Sequence, residues 1–370
     1  MHFLLCFFGL LRSLNHTISS IEDNVFNPIV ANGHTFDLLV HSYHFSGTYA
    51  NSRSGETPIR LDFSGDLKRL QQSADIARYG HGNGVGDETT IMTKKMAKHN
   101  ENDWIMNEDQ DKVDKQILQP ILGPCLKHGN GWAETDSTNA TLLNHLRALN
   151  SMQRLHDHLQ SYNPNHNHNH NAGNSSSNSD GNNNNNINAR SSNSVDGVVF
   201  LRSDVLYLNP LPTELPHHPK FKRSMFVPDF HRSCKGKQYN DRFAFGSLKA
   251  AFAYSGNRLE NSVEYAQKVA IESEASLYWH MHKKGVNVIE IPVRFQRMRT
   301  GGAIAPRDET LPSPATQLQE TKPPKNVMKE TFYKVFYGRD LRDPHCVWCN
   351  PHPSISIYDW HKWLGQKKRV

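Results

Sequence analysis

The chain has 370 residues, 36% of them apolar, with 42 Lys and Arg against 36 Asp and Glu and a formal net charge of +6. That length leaves room for one large or two ordinary domains, and the apolar fraction puts part of the chain outside any core. The basic residues are scattered, which suits an anionic small ligand or a nucleic acid, but no nucleic-acid-binding motif accompanies them and no such partner is expected; the five cysteines are too few and too dispersed for the disulfide framework of a small secreted domain.

The chain opens MHFLLCFFGLLRSLNHT. Only Met1 and His2 precede the apolar run, so there is no positive n-region, and no small-residue cleavage site follows. The run ends at Leu11, well short of the roughly 20 apolar residues of a bilayer-spanning helix, and no later segment supplies such a span. The expectation is a buried strand bounded by Gly9, in a cytosolic protein or one held peripherally at a membrane. The Golgi is the alternative, were the Phe3 to Leu11 run to act as a signal or an anchor to precede Met1.

Ser13 can cap a helix, on which Leu14, Ile18, Ile21, Val25 and Ile29 share one face. Pro28 is expected to kink or end that helix, and Gly33 suits its exit. FDLLVHSY, Phe36 to Tyr43, is a second strand. Strand, helix and strand make a unit that crosses over right-handed in a parallel sheet. The carboxyl end of its first strand, with Gly9, Arg12 and Ser13, is where such sheets bind phosphates.

From about Ala50 to His99 the chain is polar and weakly periodic, a long surface excursion with little regular structure. Thr138 to Tyr162 is expected to be helical, because Leu142, Leu146, Leu149, Met152, Leu155 and Leu159 form a stripe. Asn163 to Val195 is rich in Asn, His and Ser and reads as a disordered insertion. Its alternating Asn-His tract, Asn165 to Asn171, is a repeat expansion or a transition-metal chelator. Asn15, Asn139 and Asn174 head glycosylation sequons, relevant only in the secretory pathway.

DGVVFLRSDVLYLNPL contains a strand, Val198 to Leu201, followed by Arg202, Ser203 and Asp204. A carboxylate there can bind a divalent ion or a ribose hydroxyl, or only cap a turn. After KRSMFVPDFHR, Asn240 and Asp241 introduce a strand, Phe243 to Phe245, closed by Gly246 and leading into a helix from about Leu248. Two acidic residues at the ends of apolar segments point to a site. VNVIEIPVRF, Val286 to Phe295, is the last strand, and Gly301 to Lys325 a linker. Trp348, Tyr358, Trp360 and Trp363 would pack on the body or form a platform for an acceptor sugar. Cys346, Cys349 and His352 have metal-like spacing without a second C-x-x-C, so they are half of a zinc site or a plain tail.

Taken in order, LCFFGLLRSL, FDLLVHSY, VVFLRSDV, NDRFAFGS and ESEASLYWHM followed by VNVIEIPVRFQRMR resemble a family of glycosyltransferase-like proteins with a GT-A type nucleotide-sugar fold, including bacterial lipopolysaccharide-synthesis enzymes and uncharacterised algal and protist proteins. The resemblance covers Met1 to Tyr43 and about Leu142 to Arg299, without the insertion. It implies an α/β, Rossmann-like fold, a mixed and mainly parallel sheet flanked by helices. Residues 1–162 would be its nucleotide-binding half, 163–195 the insertion, 196–300 the acceptor half, and 301–370 a linker and aromatic-rich extension. The implied function is transfer of a sugar from a nucleotide-sugar to a glycan or other hydroxyl acceptor; the alternative is a non-catalytic nucleotide- or carbohydrate-binding protein of the same fold, with a zinc-dependent interaction protein a third reading.

By this resemblance Gly9, Arg12 and Ser13 face the nucleotide, and Arg202 and Asp204 stand where many such enzymes carry a metal-binding D-x-D. Asp204 would then hold Mn2+ or Mg2+. Arg202 replaces the first Asp of that motif, which leaves metal dependence open, and a guanidinium can itself match phosphate oxygens bidentately. Asp241 is the implied base or acceptor-positioning carboxylate, and Glu274 a second acidic residue of the same cleft.

Overall fold

A computed structural model describes residues 1–49, 59–80, 103–129, 131, 139–162, 195–230, 237–305 and 308. The insertion, most of the linker, the cysteine pair and the C-terminal aromatic residues all lie outside the described residues.

The opening run is an interior strand. β1 (His2–Phe8) lies between two parallel neighbours, and from Phe3 to Phe8 every residue is buried. Its side chains alternate between two cores: Phe3, Leu5 and Phe7 enter one, Leu4, Cys6 and Phe8 the other. An apolar run without polar alternation is what a strand covered on both faces requires.

α1 (Leu14–Ile21) continues through a π-helical turn, Glu22–Phe26, into α2 (Asn27–Ala31). Pro28 lies in the last turn, as expected, just after the π-helical turn, and the run continues past it only to Ala31. Proline has no N–H for the carbonyl of Asn24 one turn earlier; the N–H of Leu211 donates to that oxygen instead, at 2.6 Å. Gly33, at φ +69°, provides the left-handed exit. β2 (Thr35–His44) pairs with β1 in parallel, Phe3 opposite Phe36. β3 (Thr48–Tyr49) and β4 (Ile59–Arg60) form a short antiparallel ladder.

The polar stretch after Ala50 is not all irregular. α3 (Phe63–Tyr79) begins at Asp62, whose carboxylate accepts the Gly65 N–H, and lays Leu70, Ala74 and Ala77 against the core that holds Phe7. β5 (Trp104–Asp109) is the edge strand beside β2, and α4 (Gln110–Val113) leads through a π-helical turn to α5 (Gln119–Cys125). α6 (Ala140–Leu159) follows its leucine stripe as expected.

β6 (Gly197–Leu201) returns to the other side of β1, and β7 (Val205–Tyr207) forms a small sheet of its own with a later strand. β8 (Ser224–Pro228) was hidden within KRSMFVPDFHR. β9 (Phe243–Gly246) leads into α7 (Leu248–Ser255), α8 (Arg258–Ala266) and α9 (Ser273–Lys283). The expected final strand is two strands: β10 (Asn287–Ile291) is an edge of the large sheet, and β11 (Phe295–Arg297) turns away to pair with β7. Pro292 separates them, and a proline cannot donate to a ladder.

The seven-stranded order is β10-β8-β9-β6-β1-β2-β5, parallel throughout except that β9 runs against β6 and β8. α1 and α3 cover one face; α6, α7 and α9 cover the other. The chain therefore has the expected α/β, Rossmann-like architecture. Among the described residues no helix is long and apolar enough to cross a membrane.

Candidate functional site

From β1 the chain moves outward through β2 to β5, then returns to place β6 on the opposite flank of β1. The crossovers use opposite faces, α1 on one and α6 on the other, so they diverge beyond the carboxyl ends of β1 and β6. In open α/β sheets this switch point is where ligands bind.

The loops leaving these two strands bring Arg12, Arg202 and Asp204 together. Asp204 Oδ2 accepts from Arg12 Nη2 at 2.6 Å, Arg12 Nε at 3.2 Å and Arg202 Nη2 at 2.7 Å, while Oδ1 accepts from Arg202 Nε at 2.8 Å. Burial alone would push the Asp204 carboxyl up, yet the two guanidinium groups hold it well below the usual carboxylate range. Arg12 also donates to the Tyr49 hydroxyl and lies over its ring at 5.4 Å. Side-chain exposure grades the trio: 3% for Asp204, 11% for Arg12 and 27% for Arg202. Arg202 is the member that faces solvent.

The surrounding loops are cross-tied. Ser203 Oγ donates to the Leu10 carbonyl, and Thr17 Oγ1 to the Ser203 carbonyl. Ser13 precedes α1 as expected, but its hydroxyl donates to the Met298 carbonyl at 3.1 Å and makes no capping bond to the helix. The segment after β11 is thereby fastened over the start of α1.

A second charged group adjoins the first. Asp241, just before β9, pairs with Arg242 at 3.2 Å, and Arg242 donates to Glu274 in the first turn of α9 at 3.0 Å. Glu274 also accepts from Ser273 Oγ. Burial raises the Asp241 carboxyl, but Arg242, Arg258, His145 and Arg202 together bring it below its ordinary value. Arg202 contributes to this lowering after Arg242, Arg258 and His145, so the two groups lie within electrostatic range of each other. Asp241 Oδ1, the atom of that ion pair, is buried and has no further hydrogen-bond partner among the described residues.

Behind Asp241 lies Arg258, the first residue of α8, buried over the Tyr254 ring at 4.9 Å with Nη1 against the Met152 sulfur. His145 on α6 is pushed down to about 4 by burial and is neutral at neutral pH. Arg242, Arg258, His145 and Tyr49 were not singled out from sequence. Arg242 adjoins Asp241 in the chain, whereas the others reach the site only through folding.

Gly9 keeps the turn position expected of it, at φ +89°, a conformation side-chain-bearing residues avoid. Its N–H is already used: it donates to Ser151 Oγ at 2.9 Å. Ser151 in turn contacts His41 Nδ1 at 2.9 Å, and His41 Nε2 meets Glu108 at 3.0 Å. The Ser-His-Glu order resembles a nucleophile relay, but Ser151 and His41 are wholly buried. The chain of bonds is a tie from the end of β1 to β2 and β5.

The residues at this site do not fit a divalent cation. Hard cations take several oxygen ligands, whereas Asp204 is the sole carboxylate of the trio and is clasped by two cations. Among the described residues no three His, Cys, Asp or Glu side chains converge to hold a metal.

Fold and site together define an α/β protein with a cluster of ion-paired arginines and carboxylates at the switch point of its sheet. No protein-family model matches the chain, and no curated protein matches it. Among solved structures it is similar to mouse xyloside xylosyltransferase 1 in its apo form, with a TM-score of 0.33 and 8% identity, over 79% of this chain and 85% of that one. So distant a likeness defines neither substrate nor mechanism.

Proposed function

We propose that the chain is a glycosyltransferase that moves a sugar from a nucleotide-sugar to a hydroxyl acceptor. The observation that carries this reading is the guanidinium pair Arg12 and Arg202 at the carboxyl ends of β1 and β6, within electrostatic reach of the buried carboxylate Asp241. The family resemblance of the sequence segments points the same way.

In such a transfer the acceptor oxygen attacks the anomeric carbon, the bond from that carbon to the diphosphate breaks, and the diphosphate leaves with the electron pair. Fixed cations lower the barrier by stabilising the charge that develops on the leaving group. The acceptor proton passes to a carboxylate within hydrogen-bond reach, and Asp241, whose Oδ1 is held among the described residues only by the ion pair to Arg242, is the carboxylate for that role. Glu274, held by Arg242 and Ser273, positions Arg242 beside it.

A second reading is favoured by one observation: the lowered pKa of Asp241 makes it a weak base. A binding protein of the same fold, without turnover, would tolerate that. Thermal-shift titration against UDP, GDP, CMP and their sugar conjugates tests the shared part, because a ligand held by the folded state raises the melting temperature. Hydrolysis or transfer of the donor that shifts melting separates enzyme from binder, and absence of any shift would sink both.

A further inference from the structure

We infer that this site grips the diphosphate of its ligand with Arg202 and Arg12 directly and without a divalent cation, Asp204 acting as the counter-ion that sets both guanidinium groups; the inference rests on the nucleotide-sugar reading above. The geometry is that of a clamp whose charge is supplied by the protein. Asp204 occupies the Nε and Nη2 edge of Arg202 and the same edge of Arg12. Tyr49 takes Nη1 of Arg12. Arg202 Nη1 makes no hydrogen bond among the described residues, and its side chain is the most exposed of the trio.

A buried carboxylate that pins one edge of a planar guanidinium leaves the rest of the fork oriented in advance. Arg202 is fixed in this way at the mouth of the switch-point crevice, where an incoming anion would meet it first. Formal charges agree at the trio itself, where the two guanidinium groups of Arg12 and Arg202 face the single carboxylate Asp204 and leave one positive charge, while Arg242 and Arg258 are balanced by the carboxylates around Asp241. A cation site needs the opposite excess, with several oxygens free to ligate. Bringing a dication to Asp204 would require displacing both arginines from a carboxylate that is 3% exposed.

The test is calorimetric titration of the full chain with UDP, GDP, ADP, CDP and inorganic pyrophosphate, each in EDTA and again in MnCl2. The expected result is one nucleoside diphosphate binding with a Kd that agrees within about twofold in the two buffers, weakened at least tenfold in both by R202A and less by R202K. Melting of the variants checks that they fold, which the partial exposure of Arg202 favours. Binding seen only in MnCl2, or at least tenfold tighter there and indifferent to R202A, overturns the inference and leaves the nucleotide-sugar reading standing. Pyrophosphate binding in EDTA that needs Arg202, with no nucleoside diphosphate bound, upholds the cation-free anion site and removes the nucleotide-sugar reading. No binding of any of these in either buffer removes both.

Discussion

Arg202 and Asp204, two residues apart beyond the end of β6, form a bidentate ion pair of 2.8 and 2.7 Å, and that pair gives a loop residue with a long flexible side chain a single orientation. Arg12 closes on the same carboxylate from 192 residues away, so the site also staples the loop after β1 to the loop after β6.

The staple has a pH signature. The folded-state pKa of Asp204 lies below its ordinary 3.8, so its contribution to stability is complete at neutral pH and is lost as pH falls below about 4. D204N should lower the unfolding free energy by on the order of 3 kcal/mol at pH 7, since removing one partner leaves the others uncompensated. The gap between wild type and variant should narrow by roughly 1 kcal/mol at pH 3. Urea melts at the two pH values measure this, and an unchanged gap would contradict the ion-pair assignment.

A second titration sits elsewhere. His280 on α9 faces Asn261 Nδ2 at 2.8 Å through Nδ1 and the Ala253 carbonyl at 2.9 Å through Nε2. Lys283 donates to Asn261 Oδ1, fixing the amide so that its NH2 meets the ring. Nδ1 must therefore accept, and a proton there would set donor against donor. Burial, the larger influence, lowers the group from 6.5 to about 4. Folding thus favours the neutral ring, and stability falls as pH drops from about 6.5 to 4. H280Q should flatten the slope of unfolding free energy against pH across that window; an identical slope in the variant would rule His280 out as its source.

Ser151 offers a test of the tie beneath the Gly9 turn. S151A removes the partner of the Gly9 N–H and of His41 Nδ1. Leaving such groups unsatisfied in the interior costs about 1–3 kcal/mol. Chemical denaturation should show that loss, and hydrogen exchange at Gly9 should quicken more than at the centre of β1. Uniform quickening would mean that the bond has no local role.

If Asp241 receives the acceptor proton, D241N should reduce kcat by about 10²–10⁴ while donor affinity stays within a few fold. Full turnover in D241N would exclude it as the base, and loss of donor binding would place it on the donor side.

The sequence revealed those parts of the fold that are governed by large apolar side chains. β1, β2, β6 and β9 are short runs of Phe, Leu and Val, and α6 has a leucine stripe. α3 was missed because its buried stripe is built from Leu70 and two alanines, with Asp66 and Arg69 paired beside it. β5, WIMNED, escaped because an edge strand alternates less strictly and carries polar residues on its free side. β8 is only five residues long. At the site, Arg12, Arg202, Asp204, Asp241 and Glu274 could be chosen from strand ends and resemblance. Their pairing could not, because a contact across 192 residues has no local period, and Arg258 looks from sequence like any exposed helix-start arginine.

His158, near the end of α6, stacks on Trp104 at the first residue of β5, and Asp196 N–H bonds the carbonyl of His2 just before β6 begins. The chain thus leaves the described body after Tyr162 and re-enters it at Val195 beside the amino ends of the strands, while Arg12, Arg202 and Asp204 gather at the opposite rim. The two described residues that flank the asparagine- and histidine-rich stretch, Tyr162 and Val195, are therefore remote from Arg12, Arg202 and Asp204. Tags or reporter domains spliced into that stretch should consequently leave ligand affinity intact, making it the natural handle for immobilising the protein with its cleft open.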